Sequence, residues 1–219
     1  MANVIKLRKG LDVNLKGKAA KEEFQVKKPA VYALVPDDFT GMKPKVVVKE
    51  NDVVKVGDSL FVDKNHPEIK FVSPVSGRVT MVERGDRRKV LSVRVEADAE
   101  QQYVDFGKKN VGQMTAQEVK DLLLESGLFG FFRQRPYDVT ANPSDTPKAI
   151  FVSAFNSMPL AADFEYVLRG READFQAGLD ALAKMAKTYL GVSSKQTATA
   201  LTAAKNVEIN FFDGPAPAG

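Results

Sequence analysis

The sequence predicts a two-part protein of the α+β class, with an all-β barrel in front and an α/β domain behind. Residues 1–96 contain short, valine-rich apolar runs that turn residues interrupt about every 8–12 positions, the spacing of a small barrel or sandwich. Helical patterns begin only after residue 112, and strand-like runs accompany them. We therefore predict a barrel domain over residues 1–96, a linker over 97–112 and an α/β domain over 113–219.

The front part contains several apolar runs that we predict to be strands. Turn residues such as Gly57, Pro74 and Gly77 separate them, because glycine permits a positive φ and proline ends a strand where no ladder donor is needed. No apolar stripe with a helical period crosses this region, so we expect no long helix there. The predicted strands cover residues 4–7, 31–35, 46–48, 59–62, 69–72, 77–82 and 90–95.

A capping box marks the first helix of the back part. In Thr115-Ala-Gln-Glu118, the threonine hydroxyl can accept from a free amide of the first turn, and the glutamate can reach back to the cap amide. Gly127 stands where a left-handed residue would terminate this helix. We therefore predict a helix that begins after Thr115 and ends before Gly127.

An apolar run, a helical region and a second apolar run predict a parallel α/β unit farther along the chain. One helix shows apolar residues at three- and four-residue spacing, including Phe175, Leu179 and Tyr189. Because two strands make an incomplete parallel sheet, we expect the domain to be truncated at its C-terminal end. The predicted elements are strands over 149–154 and 206–212, helices over 161–169 and 172–189 with a break at Gly170, and a short helix within 193–205.

Composition narrows the chemistry that the chain can support. With no cysteine, it can form no disulfide, thiolate zinc site or cysteine-ligated iron–sulfur cluster. The single histidine, His66, precedes Pro67 in a predicted hairpin, which argues against a Ser–His nucleophilic triad. We expect no metal site. No apolar run approaches the roughly 18 residues of a membrane span, and no signal-peptide core is present, so we expect a cytoplasmic location.

Positive charge is concentrated in the front part. Residues 1–96 hold 20 Lys and Arg against 13 Asp and Glu, whereas the remainder holds 12 against 15. A basic front half can face an acidic protein, an anionic membrane surface or nucleic acid. The alternative is an ordinary solvated surface. We expect no nucleic-acid partner, because no recognisable reader module is present and the back half is acidic.

The barrel region contains a motif of two turns around a hairpin. A strand ends in Gly57-Asp58, a hairpin covers 63–67, and the turn Ser73-Pro-Val-Ser-Gly77 follows. This order resembles the biotinyl/lipoyl-like barrel-sandwich hybrid, whose hairpin presents a lysine between methionines for cofactor attachment. Here the hairpin carries Lys64 without that Met-Lys-Met setting. We therefore interpret Lys64 as a surface lysine and expect no covalent biotin or lipoyl group.

The segment after the capped helix, residues 125–136, is the candidate site. It retains Gly127 and Gly130, the residue type that lets backbone amides approach a phosphate. The rest of the segment is bulky and basic. We predict contact with a quinone or an anion here, with Phe151 and Phe155 as further apolar lining of a quinone slot; the alternative is an aromatic core segment with exposed arginines. The candidate contact residues are Phe129, Phe131, Phe132, Arg133 and Arg135.

These motifs combine into a resemblance that covers the whole chain. Together with residues 6–12, 150–162 and 212–215, the barrel turn and the aromatic segment resemble the A-subunit family of the sodium-translocating NADH:quinone reductases. The resemblance implies a barrel-sandwich hybrid followed by a Rossmann-like α/β domain. Flavin-binding relatives of that domain carry several glycines where this chain has large rings and arginines, so we expect that flavin binding is lost.

The resemblance also implies a role in a complex. Such a complex couples NADH oxidation and ubiquinone reduction to sodium export, and its A subunit is the peripheral member on the cytoplasmic side of the bacterial inner membrane. The implied partners are the other subunits, with quinone as a further contact. NAD, ubiquinone and sodium are used by the whole complex, and the A subunit is expected to hold no redox cofactor. We expect the isolated chain not to be catalytic.

A different class of function stays open at this stage. The α/β domain could belong to a flavin- or nucleotide-binding redox enzyme related to the flavin subunit of respiratory complex I. Neither G-x-G-x-x-G nor G-x-x-x-x-G-K-[ST] occurs in the sequence, which weighs against a known phosphate-binding loop.

Overall fold

The computed structural model describes residues 4–17 and 19–218. The strands are β1 (Val4–Lys6), β2 (Val31–Leu34), β3 (Pro44–Val46), β4 (Val53–Val54), β5 (Ser59–Asp63), β6 (Lys70–Val72), β7 (Gly77–Arg84), β8 (Val90–Ala97), β9 (Arg133–Gln134), β10 (Val139–Thr140), β11 (Ile150–Ala154), β12 (Thr188–Ser193) and β13 (Glu208–Asp213). The α-helices are α1 (Ala116–Glu125), α2 (Phe164–Val167), α3 (Glu172–Met185) and α4 (Thr199–Thr202).

The described residues form two compact units, and neither is one continuous segment. The barrel unit contains residues 26–109 and 117–146; the α/β unit contains residues up to 25, 110–116 and those from 147 onward. The α+β class is confirmed. The predicted division into 1–96, 97–112 and 113–219 remains a prediction, but the contacts group 117–146 with the barrel and the first 25 residues with the α/β unit.

The barrel unit is built from two antiparallel sheets and a small hairpin. One sheet has the order β2-β8-β7-β4, the other has the order β3-β5-β6, and β9 pairs with β10. Alternate residues of the strands point inward, which buries a core of valine, leucine, isoleucine and phenylalanine. The fully buried members are Leu60, Phe61, Ile69, Phe71, Val79, Val93 and Val95.

The start of the predicted linker is part of the barrel unit. Strand β8 extends to Ala97, and the amide of Val56 donates to the carbonyl of Gln102 at 2.8 Å. The amide of Val104 donates back to the carbonyl of Val56 at 2.9 Å, so Val56 and Tyr103 form an isolated parallel bridge. Polar composition alone did not reveal these backbone hydrogen bonds.

The α/β unit has a four-stranded parallel sheet of order β1-β13-β12-β11. The prediction that residues 4–7 form a barrel strand is wrong, because β1 pairs in parallel with β13, with Val4 opposite Phe211. A three-residue edge strand has no pattern that specifies its sheet, so its partner is decided by long-range pairing. The predicted strands at 149–154 and 206–212 are confirmed as β11 and β13.

The helices of this unit are shorter than the sequence pattern indicates. The helix predicted over residues 161–169 is only the four-residue α2. Its N-cap is Asp163, whose side chain accepts hydrogen bonds from the amides of Glu165 and Tyr166. The prediction of a helix to Tyr189 is wrong, because α3 ends at Met185 and the chain becomes extended at Ala186. Strand β12 then begins at Thr188, and its residues are alternately buried and half-buried. This strand was not predicted because Tyr189 also continues the apolar spacing of the helix before it.

All three helices of the α/β unit contribute to a core on one face of the sheet. The buried core consists of Ala154, Leu179, Leu190, Val192 and Leu201, with Phe164 of α2 and Phe175 of α3 packed against it. The opposite face carries Phe151, which is 77% exposed, stacked on Tyr189 with 5.2 Å between ring centroids. Across the described part of the chain, no helix is both long and apolar enough to span a bilayer.

Candidate functional site

Residues 127–136, the part of the predicted site segment 125–136 that follows α1, are grouped by their contacts with the barrel unit. They form a 3₁₀ turn at Phe129–Phe131 and continue into the β9–β10 hairpin. The 3₁₀ turn contacts β6 of the barrel. The expectation that this segment belongs to the α/β domain stays a prediction; its packing onto β6, a barrel strand far away in sequence, is why the contacts group it with the barrel unit.

The two glycines of this segment are used for close packing. Gly127 has a φ of +76°, and a Cβ there would lie 2.6 Å from Cγ1 of Val72. A Cβ at Gly130 would lie 2.7 Å from Cε1 of Phe71. Both distances are too short for a real side chain, so glycine is required for the loop to lie on β6. The prediction that Gly127 terminates α1 in a left-handed conformation is confirmed.

The phenylalanines of the segment divide between core and surface. Phe129 is only 4% exposed and packs against Phe132, with 5.4 Å between ring centroids. Phe131 is 69% exposed, and its ring makes an edge-to-face contact with Phe39, with 5.7 Å between the ring centroids. Phe39 in turn contacts the buried ring of Phe71 at 4.4 Å. Phe129 is therefore a core residue, while Phe131 ends a row of aromatic rings at the surface.

The two arginines also differ in their surroundings. Nη1 of Arg133 donates to Oγ1 of Thr40 at 2.9 Å and to the carbonyl of Asp138 at 3.1 Å, which holds this guanidinium against the barrel. The side chain of Arg135 is 76% exposed, with Nη1 3.7 Å from a carboxylate oxygen of Asp138. Arg135 is thus the arginine that points outward, and contact of either one with an anion stays a prediction.

A loop over residues 36–41 anchors the β9–β10 hairpin. The amide of Thr140 donates to the carbonyl of Thr40 at 2.8 Å. Gly41, with a φ of +86°, has Val139 so close that an added Cβ would lie 2.7 Å from the valine Cβ. No local sequence pattern predicts this loop contact, because Phe39 and Thr40 are about 90 residues from Phe131 and Arg133.

The remaining residues suggested for quinone contact lie in the other unit. Phe151 is in β11 and Phe155 directly follows that strand, so both belong to the α/β unit. The barrel unit by itself brings together Phe129, Phe131 and Phe132. The five phenylalanines are therefore divided between the two units.

The α/β unit has a cleft of about 280 Å³ beside α2 and α4. Its carboxylates belong to Glu165 and Glu172, both on the surface, and Oε1 of Glu172 already accepts from the amide of Gly170 at 3.1 Å. The cleft is lined by Glu165, Leu168, Arg169, Glu172, Ala198, Thr199, Ala200 and Leu201. None of these residues was singled out by the sequence.

The described residues offer few side chains that could hold a metal ion. Apart from residues 1–3, 18 and 219, which the structure does not describe, no group of three or more His, Asp or Glu side chains is placed to hold an ion. The single histidine, His66, has Nδ1 3.8 Å from a carboxylate oxygen of Glu68. Lys64 is exposed in the turn between β5 and β6, where its amide donates to the carbonyl of Lys43.

Counted by structural unit, the charge is more evenly distributed than the count for residues 1–96 indicates. The barrel unit holds 19 Lys and Arg against 18 Asp and Glu, and the α/β unit holds 13 against 10. The excess of residues 1–96 is therefore shared, because the first 25 residues join the α/β unit. Any anion-binding surface on the barrel has to be local.

Two protein-family models match the chain in succession. The first, the NqrA N-terminal barrel-sandwich hybrid domain, matches residues 5–98, and the second, the NqrA second alpha/beta domain, matches residues 114–219. The first family description agrees with the antiparallel sheets of the barrel unit, and the second agrees with the parallel sheet of the α/β unit.

Relatives named as the A subunit of a Na(+)-translocating NADH-quinone reductase match along nearly the whole chain. The protein from Pseudomonas aeruginosa is 34% identical over 219 residues, that from Yersinia pseudotuberculosis 35% over 222, and that from Vibrio vulnificus 36% over 219. In each case the alignment covers 99% of this chain and 49% of the relative. The chain therefore spans about half the length of the curated relatives it matches, and by both of its domains it belongs to the NqrA family.

Proposed function

We propose that this chain works as part of a peripheral subunit of a sodium-translocating NADH:quinone reductase, on the cytoplasmic side of the bacterial inner membrane. In this role it helps to couple NADH oxidation and quinone reduction to sodium export. The observation that carries the proposal is the succession of two NqrA domains, with 34–36% identity to proteins named as the A subunit across 99% of the chain.

The packing of Gly127 and Gly130 in the aromatic segment supports the proposal that this chain binds no flavin there. A phosphate cradle needs backbone amides that a ligand can approach closely, and glycines provide that access. Here the space in front of Gly127 is filled by Val72, and the space in front of Gly130 by Phe71. The proposed partners are therefore the other subunits of the complex, which hold the redox centres and use NAD, ubiquinone and sodium.

Quinone contact is part of the same proposal, and it falls on the exposed members of the aromatic segment. A quinone ring needs an apolar surface and a few polar donors. Phe131 offers an exposed ring beside Phe39, and Arg135 offers an outward guanidinium. Phe129 and Arg133 are held in internal contacts, so they support the shape of the site instead of touching the ligand.

Assembly tests the main proposal. The chain would replace the aligned half of the homologous protein of Vibrio vulnificus in a strain that lacks its own copy. We expect the chimera to co-purify with the other subunits and to restore sodium-dependent quinone reduction by NADH. A chimera that folds, as judged by circular dichroism, and never associates with those subunits would contradict the proposal.

Spectroscopy tests the expected absence of a flavin. The purified chain, mixed with excess FMN or FAD and then desalted, should show no visible flavin absorbance. A yellow protein whose flavin is lost on changing Gly130→Ser, and kept on changing Gly170→Ser, would support the competing redox-enzyme hypothesis.

The quinone contact has its own measurement. Titration with a water-soluble quinone should perturb the NMR signals of Phe131 and its neighbour Phe39, and Phe131→Leu should remove the perturbation. The change Phe151→Leu is the matched control, because Phe151 is a similarly exposed ring in the other unit. Perturbation centred on Phe151 would place the contact elsewhere.

A further inference from the structure

The turn between β7 and β8 is the most unusual basic feature of the barrel unit. Residues 84–89 read Arg-Gly-Asp-Arg-Arg-Lys, and all five charged side chains are exposed. The amide of Lys89 donates to the carbonyl of Asp86 at 3.1 Å, and the amide of Gly85 donates to the carbonyl of Lys89 at 2.8 Å. These bonds close a tight hairpin turn with Arg87 and Arg88 at its centre.

Both central arginines adopt a left-handed backbone conformation. The φ angle is +53° at Arg87 and +63° at Arg88. A turn with two positive φ angles corresponds to type I′, for which Asn-Gly is the favoured pair because those residues tolerate the conformation. Two successive bulky residues there are strained, and strained backbone concentrates at functional positions. The two arginines therefore occupy this turn at a conformational cost.

The charges of this turn are largely uncompensated. Lys89 pairs with Asp37, with Nζ 2.6 Å from Oδ2. Within residues 4–17 and 19–218, no carboxylate lies within ion-pair distance of Arg84, Arg87 or Arg88; Nη1 of Arg84 instead reaches the carbonyl of Arg88 at 3.3 Å. Three neighbouring guanidinium groups therefore remain available to an anionic surface.

The loop over residues 36–41 connects this turn with the exposed aromatic side chains of the same unit. Asp37 holds Lys89 on one side, and Thr40 holds Arg133 and Thr140 of the β9–β10 hairpin on the other. That hairpin carries Tyr137, which is 82% exposed. Phe131 contacts Phe39 of the loop itself. Lys89 of the arginine turn, Arg133 of the β9–β10 hairpin and the exposed ring of Phe131 thus all contact one short loop.

Four acidic residues lie in or beside this region: Asp37, Asp38, Asp86 and Asp138. Asp37 is paired with Lys89, and Asp138 lies near Arg133 and Arg135. Asp38 and Asp86 are exposed and have no cation within ion-pair distance among the described residues. The surface remains net positive, and its positive charge is densest at the turn.

We propose that this surface, formed by Arg84, Arg87, Arg88, Phe131 and Tyr137 and called here the basic aromatic surface, binds the headgroup region of an anionic phospholipid bilayer. Guanidinium groups pair with phosphate oxygens, and tyrosine and phenylalanine suit the boundary between headgroups and acyl chains. A bilayer is favoured over an acidic protein partner because the arginines stand at an exposed hairpin turn and the rings of Phe131 and Tyr137 are 69% and 82% exposed, the combination of cations and aromatic rings that suits a headgroup region. The proposal rests on the proposed function only in that a membrane has to be within reach.

Vesicle flotation tests this proposal with the full chain alone. One set of vesicles is phosphatidylcholine, and the other contains equal parts of phosphatidylcholine and phosphatidylglycerol. We expect binding to the anionic vesicles that weakens as salt is raised, because exposed charges are screened. The double change Arg87→Asn with Arg88→Gly should weaken that binding about 30-fold, since each basic residue near an anionic surface contributes on the order of 1 kcal/mol.

Matched controls separate this surface from general charge and general exposure. Lys27 and Lys28 are adjacent exposed cations of the same unit, so Lys27→Gln with Lys28→Gln tests the effect of charge loss alone and should leave binding within about threefold, which general charge screening allows. Tyr137→Ser should weaken binding, whereas Phe24→Ser, at a ring 86% exposed in the other unit, should not.

The melting temperature and vesicle binding of the Asn-Gly variant should change in opposite directions, a result that simple loss of folding could not produce. The Asn-Gly replacement favours the type I′ conformation, so its melting temperature should rise while vesicle binding falls. Equal binding by the original and Asn-Gly chains would overturn the proposal. If the Asn-Gly replacement abolishes co-purification with the other subunits and leaves vesicle binding unchanged, the proposal is also overturned, and the turn is assigned to a protein partner. If the original chain binds vesicles and yet never assembles with the other subunits, the proposed function alone is contradicted.

Discussion

The barrel unit and the α/β unit use their sheets differently. In the barrel unit, two antiparallel sheets enclose one apolar core, and residues such as Phe61 and Val79 are fully buried. In the α/β unit, three helices cover one face of a parallel sheet, and the other face leaves Phe151 largely exposed. Parallel sheets are usually covered on both faces. Stability in the α/β unit should therefore depend on one face only.

The largest expected effect contrasts the two faces of the parallel sheet. Leu190 is fully buried under the helices, and Phe151 is exposed on the opposite side. We expect Leu190→Ala to lower the free energy of unfolding by about 3 kcal/mol, through lost burial and the cavity that remains. Phe151→Ala should cost only about 0.5 kcal/mol. Urea unfolding monitored by circular dichroism measures both, and equal losses would mean that both faces are packed.

A second contrast compares a glycine from each unit with nearly the same backbone angle. Gly127 has a φ of +76° and lies against Val72; Gly170 has a φ of +75°, and an added Cβ there meets nothing within 4 Å. We expect Gly127→Ala to destabilise its unit by about 3 kcal/mol, since the steric clash adds to the strain. Gly170→Ala should cost about 1 kcal/mol. A similar cost at both positions would mean that the loop moves away from β6.

A smaller effect of opposite sign is expected at the arginine turn of the barrel unit. Replacing Arg88 with Gly removes strain at a φ of +63°, so we expect the free energy of unfolding to rise by about 1 kcal/mol. The control is Arg78→Gly in β7, an exposed arginine within a strand, where glycine should destabilise by about 1 kcal/mol. Thermal unfolding distinguishes the two signs.

The smallest expected effect concerns Glu83, also in the barrel unit. A hydrogen bond from the Ser92 hydroxyl at 2.8 Å, and then one from Arg94 at 2.6 Å, lower the pKa of this carboxyl below its ordinary value of 4.5. Because the folded pKa lies below the unfolded one, the ionised carboxylate stabilises the fold above about pH 4.5, and this is lost as the pH falls through the folded pKa.

NMR titration of the Glu83 side chain checks this pair of contacts. Ser92→Ala should raise the pKa of Glu83 toward its ordinary value, and Arg94→Met should do so as well. Ser144→Ala, an exposed serine elsewhere in the same unit, should leave it unchanged. An unchanged Glu83 pKa in the Ser92 variant would show that the hydroxyl does not bond to the carboxylate in solution.

Strand prediction found most strands of the barrel unit, although it missed β9 and β10 and placed β3 at 46–48 instead of Pro44–Val46; in the α/β unit it missed β12. Strands with one buried face alternate in polarity, as in Val90–Ala97, and turn residues bound them clearly. Strand β12 follows directly on α3, and Tyr189 stands at a helical spacing from Met185, so the period of the helix concealed the strand. Strand β4 is only two residues long, which is too short to show a pattern.

The candidate site likewise has features that a local sequence pattern predicts and features that it does not. The sequence pattern predicts the aromatic segment and the end of α1 at Gly127. It did not separate the buried Phe129 from the exposed Phe131, because successive aromatic residues carry no period that assigns a face. The anchoring of Arg133 by Thr40 joins residues 93 positions apart, and such contacts have no local signature.

By itself, the sequence determined the α+β class, the valine-rich barrel strands, the positions of tight turns and the family resemblance, because backbone preference and hydrophobic alternation act over a few residues. The tertiary structure alone decided that β1 joins β13 and that residues 127–130 lie on β6. It also decided that Lys89, Arg133 and the ring of Phe131 contact the loop over residues 36–41. These are pairings across long stretches of chain, selected by shape and burial after the local elements exist.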